Sequence, residues 1–393
     1  MEGDFIKINK WLLPLSWLYG LGVYIRNLLF DANILKSKSF NVPVIAVGNI
    51  TVGGSGKTPH VEYIVRLLHD RIKVAVLSRG YKRKSHGYRL AKPDTTMPEI
   101  GDEPYQMHRK FKKVHVAVEA NRCKGIEKLI TSPETKDTQL VVLDDAYQHR
   151  YVKPGLNILL VDYHRLIIYD KLLPAGRLRE PKEGKNRADI VIITKCPKDL
   201  KPMSFRVLRR AMELFPYQEL YFTTIENSPL VPLYPEGKPI KQPIEGEENG
   251  IKLPNVLLLT GIASPEQMVK DLKDKCESIT PLFFGDHHQF TASDVEAINM
   301  SFKMMKRPAI IITTEKDATR LENIKGLSDE VRQNIYVQPI HVSFMLGEEE
   351  KFNNKIIEYV RTHQRNGSMA ARADDDRTKD SNSSGDRPRT IGF

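Results

Sequence analysis

The chain has 393 residues, with 60 lysines and arginines against 49 aspartates and glutamates, so its formal net charge is +11. This length suits two domains that each bury a core. The three widely spaced cysteines fit neither a disulfide framework nor a zinc site, and they indicate a reducing compartment. The basic excess favours an anionic partner, and charge alone leaves nucleic acid, anionic lipid and a phosphorylated substrate all open.

The N-terminal segment is unusually apolar. Residues 11–25 carry no charge, and they are too few to supply the roughly 20 apolar residues of a membrane-spanning helix. We predict a helix within residues 1–38 that lies in a membrane interface, with basic flanks and with aromatic rings at headgroup depth. A signal peptide and a buried packing helix are the alternatives. The aromatic residues of this segment are Trp11, Trp17, Tyr19 and Tyr24.

An apolar run at 42–47 leads into a glycine-rich loop and then into a helical pattern. The sequence Gly-Gly-Ser-Gly-Lys-Thr at 53–58 is typical of a phosphate-binding loop, although Thr51 stands where the usual pattern has glycine. In such a loop, backbone N–H groups surround the phosphates, the lysine reaches the outer phosphates, and the threonine hydroxyl binds Mg²⁺. The predicted nucleotide-binding residues are Thr51, Val52, Gly53, Gly54, Ser55, Gly56, Lys57 and Thr58.

Beyond the loop, short apolar runs alternate with helical patterns, which is typical of a doubly wound α/β domain. We predict a P-loop NTPase-type domain over residues 39–228, with a mainly parallel sheet. The runs have the character of buried parallel strands. They lie at 74–77, 114–118, 140–143, 158–161 and 190–193.

The composition changes after this domain. Residues 229–254 are rich in Pro, Gly, Lys and Glu and indicate an interdomain linker. A second, smaller α/β domain is predicted over residues 255–365. Residues 366–393 have almost no apolar content and are predicted to be disordered. The predicted strands of the second domain are near 256–260, 309–313 and 335–337.

Two pairs of acidic residues are candidates for chemistry. The apolar strand at 140–143 ends in Asp144 and Asp145, which is the form expected of a strand that brings a Mg²⁺-associated carboxylate beside a phosphate loop. A solvated strand end is the alternative. Asp102 and Glu103 form the second pair, in a Gly-Asp-Glu-Pro turn. Taken alone, this turn is more often solvated than catalytic.

A histidine pair and a basic run complete the candidates. In the sequence Asp286-His287-His288 the adjacent histidines cannot share one helix face, which disfavours chelation of a metal by both, and a lone histidine near an aspartate is more often structural than catalytic. Residues 71–92 contain eight basic side chains and no acidic one. This run follows a strand end, so an anion-binding role stands beside the ordinary solvated face.

The chain carries a series of short motifs in a fixed order. They occupy residues 43–49, 51–59, 78–81, 101–104, 144–149, 173–181, 261–263, 286–288 and 314–317. Together they resemble the tetraacyldisaccharide 4'-kinase family, the lipid A 4'-kinases of Gram-negative bacteria, over residues 14–321. The resemblance explains Thr51, because the loop of this family opens with Thr-Val-Gly-Gly. Ala146-Tyr147 departs from the family, which usually has Gly-Phe there.

The resemblance implies transfer of the γ-phosphoryl group of ATP to the 4'-hydroxyl of a tetraacylated glucosamine disaccharide 1-phosphate, with Mg²⁺, at the cytoplasmic face of the bacterial inner membrane. The partners it implies are this lipid and the membrane surface, without nucleic acid, and we expect a monomer. The lipid substrate agrees with the apolar N-terminus, and the anionic substrate agrees with the basic surface.

The resemblance also assigns roles. It places a catalytic pair on Asp102 and His287, with His288 as the second choice, because a carboxylate must accept the proton of the sugar hydroxyl and an imidazole can orient it. Since the histidine comes from the second domain, catalysis is expected to need domain closure. Lys57 is expected to neutralise charge on the transferring group. The predicted metal ligands are Thr58, Asp144, Asp145 and Glu103, and the predicted substrate contacts are Arg79, Arg177 and Arg179.

Two other classes of function stay open on the residues alone. One is a P-loop ATPase or GTPase switch, which offers no role for Asp102 or His287. The other is a non-enzymatic protein that binds a membrane surface or nucleic acid. An ordered aspartate and histidine beyond the phosphate loop favour a kinase over both.

Overall fold

The computed structural model describes residues 6, 8–237, 252–262, 265–285 and 288–363. Two β-sheets with packed helices confirm the predicted α/β class, while the predicted disordered tail at 366–393 lies outside the described residues. The helices are α1 (Leu13–Asp31), α2 (Lys57–Leu68), α3 (Met97–Ile100), α4 (Asp102–Lys110), α5 (Arg122–Thr131), α6 (Pro202–Met212), α7 (Glu266–Lys273), α8 (Ala292–Lys303), α9 (Glu315–Leu321), α10 (Asp329–Asn334) and α11 (349–363). The strands are β1 (Val44–Gly48), β2 (Val74–Ser78), β3 (Arg89–Leu90), β4 (His115–Val118), β5 (Leu140–Asp144), β6 (Leu156–Asp162), β7 (Ile190–Thr194), β8 (Glu219–Asn227), β9 (Val231–Pro232), β10 (Asn255–Thr260), β11 (Ile279–Phe283), β12 (Ala309–Thr314), β13 (Ile335–Gln338) and β14 (Ile340–Phe344).

The large sheet is the frame that positions the phosphate loop. Within the described residues it has nine strands, in the order β14-β8-β7-β6-β1-β5-β2-β4-β3. β1 lies at the centre, parallel to both β5 and β6, whereas the edge strands β3 and β14 are antiparallel to their neighbours. All residues of β1, β2, β5 and β7 are buried, as expected when helices cover both faces of a parallel sheet. The carboxyl ends of β1, β5 and β2 meet at one edge, where such sheets bind ligands.

The second sheet is smaller. In the described part of the chain it has five strands, in the order β11-β10-β12-β13-β9, and β9 runs antiparallel at its edge. Its core includes Leu257 and Ile311 from the sheet and Phe302 from α8, all fully buried. β9 lies inside the segment predicted to be a linker, so part of that segment, 229–254, belongs to the second sheet; residues 238–251 lie outside the described residues.

The C-terminal part of the described chain returns to the large sheet, which corrects the predicted second domain of 255–365. β14 pairs with β8, and α11 packs Phe352 and Ile356 into the core beneath β1. The Tyr359 hydroxyl donates to the Val44 carbonyl oxygen and accepts from the Val44 N–H, both at 3.0 Å. Residues 340–363 therefore belong with the large sheet. The strand pattern of 340–344 does not reveal this, because a local pattern says nothing about which sheet a strand joins.

The N-terminal helical segment is α1 together with the 3₁₀ turn Lys10–Leu12 before it. It contacts the body of the protein through polar groups, and many of its apolar side chains are exposed, although Phe30 is buried. The Ser16 hydroxyl donates to the Leu172 carbonyl at 3.0 Å, and the Tyr19 hydroxyl donates to the Arg179 carbonyl at 2.8 Å. By contrast, Trp11 is 93% exposed and Trp17 is 72% exposed. Within the described ranges, no helix combines the length and apolar character needed to cross a membrane.

Candidate active site

The loop after β1 has the geometry of a phosphate cradle. Gly53 and Gly56 have positive φ angles of 121° and 78°, a region that glycine adopts readily and that turns the chain into α2. The buried Asn49 amide supports the loop from within, since its Nδ2 donates to Thr51 Oγ1 at 3.2 Å and to Ser55 Oγ at 2.8 Å. The predicted loop therefore lies at the N-terminus of a helix, where backbone N–H groups and the helix dipole favour an anion.

His60, in the first turns of α2, fixes the end of this loop. Its Nδ1 lies 2.7 Å from the Gly56 carbonyl oxygen and its Nε2 lies 3.0 Å from Thr223 Oγ1. Because a carbonyl only accepts, the neutral ring donates from Nδ1 and accepts the hydroxyl proton at Nε2. Burial lowers the pKa of His60 to about 4, so the ring is neutral at pH 7.

The segment that carries Arg177 and Arg179 runs beside the phosphate loop. The Val52 N–H donates to the Arg177 carbonyl at 2.8 Å, and the Arg179 N–H donates to the Ile50 carbonyl at 2.7 Å. These backbone bonds bring two of the three predicted substrate arginines to the edge of the loop. Arg79, the third, is exposed and directly follows β2.

The two carboxylates at the end of β5 have different surroundings. Asp144 is buried; its Oδ2 accepts from the Ser78 hydroxyl at 3.2 Å, while its Oδ1 has no hydrogen-bond partner among the described residues. Burial, and then the nearby Glu103 and Asp145 carboxylates, raise the pKa of Asp144 well above its ordinary value. Asp145 instead pairs with two cations, Lys57 and Arg179, each at 3.6 Å.

These surroundings fit a cation better at Asp144 than at Asp145. A buried carboxylate oxygen without a partner is costly unless a positive charge approaches it. Among the described residues, no three His, Cys, Asp or Glu side chains cluster as a metal cage. Mg²⁺ needs no such cage, because it is usually held by one or two carboxylates together with waters and substrate phosphates. The residues present, including the Thr58 hydroxyl in the first turn of α2, fit that mode of binding.

The turn with Asp102 and Glu103 opens α4 and faces the second sheet. Gly101 has φ 91°, and a Cβ at this position would lie 2.9 Å from the Tyr81 carbonyl oxygen, so glycine permits the close turn before Asp102. The Asp102 carboxylate accepts a hydrogen bond from Arg320 of α9, and Glu103 Oε1 lies 3.1 Å from Lys316 Nζ. The acidic pair is therefore not a solvated turn, because both carboxylates are ion-paired.

Of the two candidate histidines, His287 lies outside the described residues. His288 has a structural environment: its Nε2 lies 2.9 Å from Asp294 Oδ2 at the start of α8, and its ring stacks on Phe284 with centroids 4.8 Å apart. These contacts lie within the second unit, by which we mean the five-stranded sheet and the helices α7–α10 packed on it. They favour a packing role for His288.

Sequence reasoning missed two residues near the loop. Lys195 Nζ donates to the Gly54 carbonyl and to Asp162 Oδ2, the latter at 2.8 Å. Arg122 is buried, and its Nη2 donates to the Asp144 carbonyl at 3.2 Å. Lys195 lies two residues after the predicted strand at 190–193, so its place near a strand end was a usable signal. Arg122 opens a helix and offers no such signal.

The central phosphate loop, the carboxylates on the adjacent strand and the docked second α/β unit define a P-loop nucleotide-binding protein of the phosphotransferase type. The family model described as "Tetraacyldisaccharide-1-P 4'-kinase" matches residues 8–361. The chain belongs to this family, which confirms the resemblance found in its motifs.

Named relatives and a solved structure agree with this assignment. The tetraacyldisaccharide 4'-kinase of Phocaeicola vulgatus is 54% identical over 372 residues, which cover 94% of this chain and 100% of that protein. The enzyme of the same name from Bacteroides thetaiotaomicron is 51% identical over 378 residues, 95% of this chain and 98% of that protein. The crystal structure of LpxK from Aquifex aeolicus in complex with ATP has a TM-score of 0.67 at 30% identity and covers 89% of this chain and 98% of that one.

Proposed function

We propose that this chain transfers the γ-phosphoryl group of ATP to the 4'-hydroxyl of a tetraacyl glucosamine disaccharide 1-phosphate. The observation that carries this proposal is the position of the Asp102–Glu103 turn. The helix that this turn opens packs on the helix that follows the phosphate loop, since Gln106 Nε2 of α4 donates to Glu62 Oε1 of α2 at 2.9 Å. A carboxylate next to a bound triphosphate is where a base for an attacking hydroxyl is needed.

In this mechanism Asp102 accepts the proton of the 4'-hydroxyl as the oxygen attacks phosphorus. A sugar hydroxyl has a pKa far above 7, so a carboxylate within hydrogen-bond reach of it lowers the barrier. His287, which precedes α8 in the chain, is assigned the role of orienting this carboxylate. His288 is assigned to packing because of its contacts with Asp294 and Phe284.

The phosphate loop binds and orients the triphosphate. The backbone of residues 51–58 surrounds the phosphates, and Lys57 balances charge on the transferring group. Thr58 and Asp144, with Glu103 nearby, would hold Mg²⁺, which when bound would supply positive charge to balance the phosphate oxygens. Asp145 orients Lys57 and Arg179, because it pairs with both.

The acceptor lipid is placed on the side of the loop that faces α1. Arg177 and Arg179 lie at the edge of the loop, and with Arg79 they supply positive charge for the substrate phosphate. A groove of about 510 Å³ lies between α1 and residues 168–183. Its apolar lining suits acyl chains; among the lining residues are Leu13, Trp17, Leu21, Ile168 and Leu172.

The exposed apolar face of α1 is assigned to the membrane surface. Trp17 and aliphatic side chains of α1, with Trp11 just before the helix, are exposed to solvent, and the chain carries a basic excess that favours anionic lipid. Since ATP is cytosolic, we propose a peripheral or monotopic position at the cytoplasmic face of the bacterial inner membrane. We expect a monomer.

The test is incubation of the purified full chain with γ-labelled ATP, Mg²⁺ and the tetraacyl disaccharide 1-phosphate in detergent micelles. Label in the lipid at the 4' position supports the proposal. Phosphate release without lipid labelling, with an acceptor shown to be intact, overturns it in favour of a nucleotide-driven switch. A matched reaction with an acceptor already phosphorylated at the 4' position controls for labelling elsewhere.

A further inference from the structure

α4 of the large-sheet unit and α9 of the second unit pack against each other through ion pairs. Glu103 pairs with Lys316 at 3.1 Å, and Lys110 pairs with Glu315 at 2.7 Å. Arg109 pairs with Glu322 at the exposed rim, where the two side chains are 45% and 29% exposed. Exposed pairs of that kind contribute little to stability, because water and salt screen them.

The pair between Asp102 and Arg320 differs from the rim pairs in its burial. The Arg320 side chain is 2% exposed and that of Asp102 is 18% exposed. Arg320 divides its guanidinium between two carboxylates, with Nη2 donating to Asp102 Oδ2 and Nη1 donating to Asp317 Oδ1 at 3.0 Å. A planar guanidinium holds a carboxylate in one orientation, which a lysine ammonium does not.

Asp317, at the far side of Arg320, is fixed by the second sheet. It is fully buried, and its Oδ2 accepts from the Gly261 N–H at 2.9 Å and from the Thr314 hydroxyl at 2.8 Å. Gly261 directly follows β10 and Thr314 is the last residue of β12, so the carboxylate cannot move without the sheet. Arg320 thus connects Asp102 to a rigid part of the second unit.

The same anchor touches the segment on either side of residues 286 and 287. A Cβ on Gly261 would lie 3.0 Å from the Gly285 carbonyl oxygen, 3.2 Å from Asp317 Oδ1 and 3.6 Å from the His288 Cβ. The backbone at Gly261, directly after β10, is therefore packed between Asp317, Gly285 and His288.

We propose that Arg320, held by Asp317, is a second positioning residue for the Asp102 carboxylate beside His287, so that docking of the second unit sets the orientation of the base. The proposal rests on the proposed role of Asp102. Arg320 acts through that carboxylate. The orientation of Asp102 then depends on a residue that is 218 positions away in the chain and belongs to the other sheet.

The experiment compares R320M, R320K and R109M in the lipid-labelling assay with the full chain. R320M removes the charge at similar length, and a displaced base of this kind costs on the order of 10²-fold in rate, so we expect kcat to fall about 10- to 100-fold. KM for ATP stays within about twofold, because Arg320 does not contact the phosphate loop. R320K keeps a charge without the planar fork and recovers part of kcat. R109M removes an exposed ion pair at the same interface and stays within about twofold of wild type.

A double-mutant cycle with D102N separates positioning from general damage. If Arg320 acts through Asp102, R320M and R320K lower kcat little further in the D102N background, because interacting sites are not additive. An equal loss in both backgrounds, or wild-type kcat in R320M, overturns the proposal. If R320M fails to show a cooperative thermal transition, the double-mutant cycle with D102N is measured with R320K alone.

The outcomes also separate this proposal from the proposed function. A wild-type chain that does not label lipid, or a D102N variant with wild-type kcat, overturns the catalytic assignment itself. An inactive D102N variant together with a normal R320M variant leaves the kinase mechanism standing and overturns only the positioning role.

Discussion

The Nζ atom of Lys57 lies 3.6 Å from Oδ1 of Asp145, so the phosphate-loop lysine is paired with the carboxylate that follows the neighbouring strand. Arg179 lies 3.6 Å from the other oxygen of the same carboxylate. Asp145 therefore forms ion pairs with two cationic side chains beside the phosphate loop. This arrangement distinguishes the two adjacent aspartates, since Asp144 is buried against Ser78 and has an oxygen without a partner among the described residues.

Replacement of Lys57 by methionine removes the charge that balances the transferring phosphoryl group. We expect kcat to fall by about 10²- to 10³-fold or more, the range for loss of one electrostatic contact to a transition state. Steady-state labelling of the lipid measures this. Lys113→Met is the control, because Lys113 is an exposed lysine paired with Asp70. Normal turnover by the Lys57 variant would remove the loop lysine from the mechanism.

Asp102→Asn keeps the size of the side chain and its capacity to accept a bond from Arg320, but it removes the basic oxygen. Loss of a general base costs roughly 10²- to 10⁴-fold, so kcat falls by that factor while ATP binding is retained. Lipid labelling gives kcat, and equilibrium dialysis with labelled ATP gives the affinity. A variant that binds ATP normally and phosphorylates lipid at the wild-type rate would contradict the assignment.

Asp144→Asn and Asp145→Asn form a matched pair that locates the Mg²⁺ contact. Loss of the Asp144 charge is expected to raise the Mg²⁺ concentration for half-maximal activity by at least about tenfold. Ser78→Ala is expected to raise this concentration as well, because the Ser78 hydroxyl donates to Asp144 and orients it. Asp145→Asn lowers kcat with little change in that concentration. Titration of activity against Mg²⁺ at saturating ATP decides between them, and the reverse pattern would exchange the two roles.

His60 makes stability fall in acid. Burial lowers its pKa from 6.5 to about 4, so the unfolded chain binds a proton more readily than the folded one. The contribution of neutral His60 to the free energy of unfolding is complete above about pH 6.5 and is lost as the pH falls towards 4. It amounts to on the order of 3 kcal/mol, since one pKa unit is about 1.4 kcal/mol. Thermal or urea unfolding between pH 8 and pH 4 measures it, and His60→Asn should flatten the dependence over that range. An unchanged slope in the variant would refute this.

Trp17 of α1 and Trp11, in the turn just before it, test the membrane role of α1. Each side chain contributes roughly 1.5–3 kcal/mol if it is buried in lipid, so the double replacement by serine lowers binding to vesicles with anionic headgroups by at least about tenfold. Co-sedimentation with vesicles measures this binding. Met203→Ser is the control, because Met203 is 65% exposed on a different helix. Equal binding by the tryptophan variant and wild type would exclude α1 as the contact.

The parts of this protein that the sequence determined are those made by neighbours in the chain. The phosphate loop is one contiguous segment at 51–58, and its glycines, lysine and threonine need only each other and the strand before them. Buried parallel strands were likewise visible, because a strand covered on both faces must be apolar along its length. The α/β class and the family follow from such local patterns.

Tertiary structure decided the contacts between distant segments. The pairing of Asp102 with Arg320, the return of β14 to the large sheet and the bond from Lys195 to the loop carbonyl of Gly54 join residues more than a hundred positions apart. A strand pattern does not encode its partner, and a charged residue looks the same whether it is solvated or buried against an opposite charge. Those outcomes depend on how the two sheets pack, because packing alone excludes water from the pairs that it brings together.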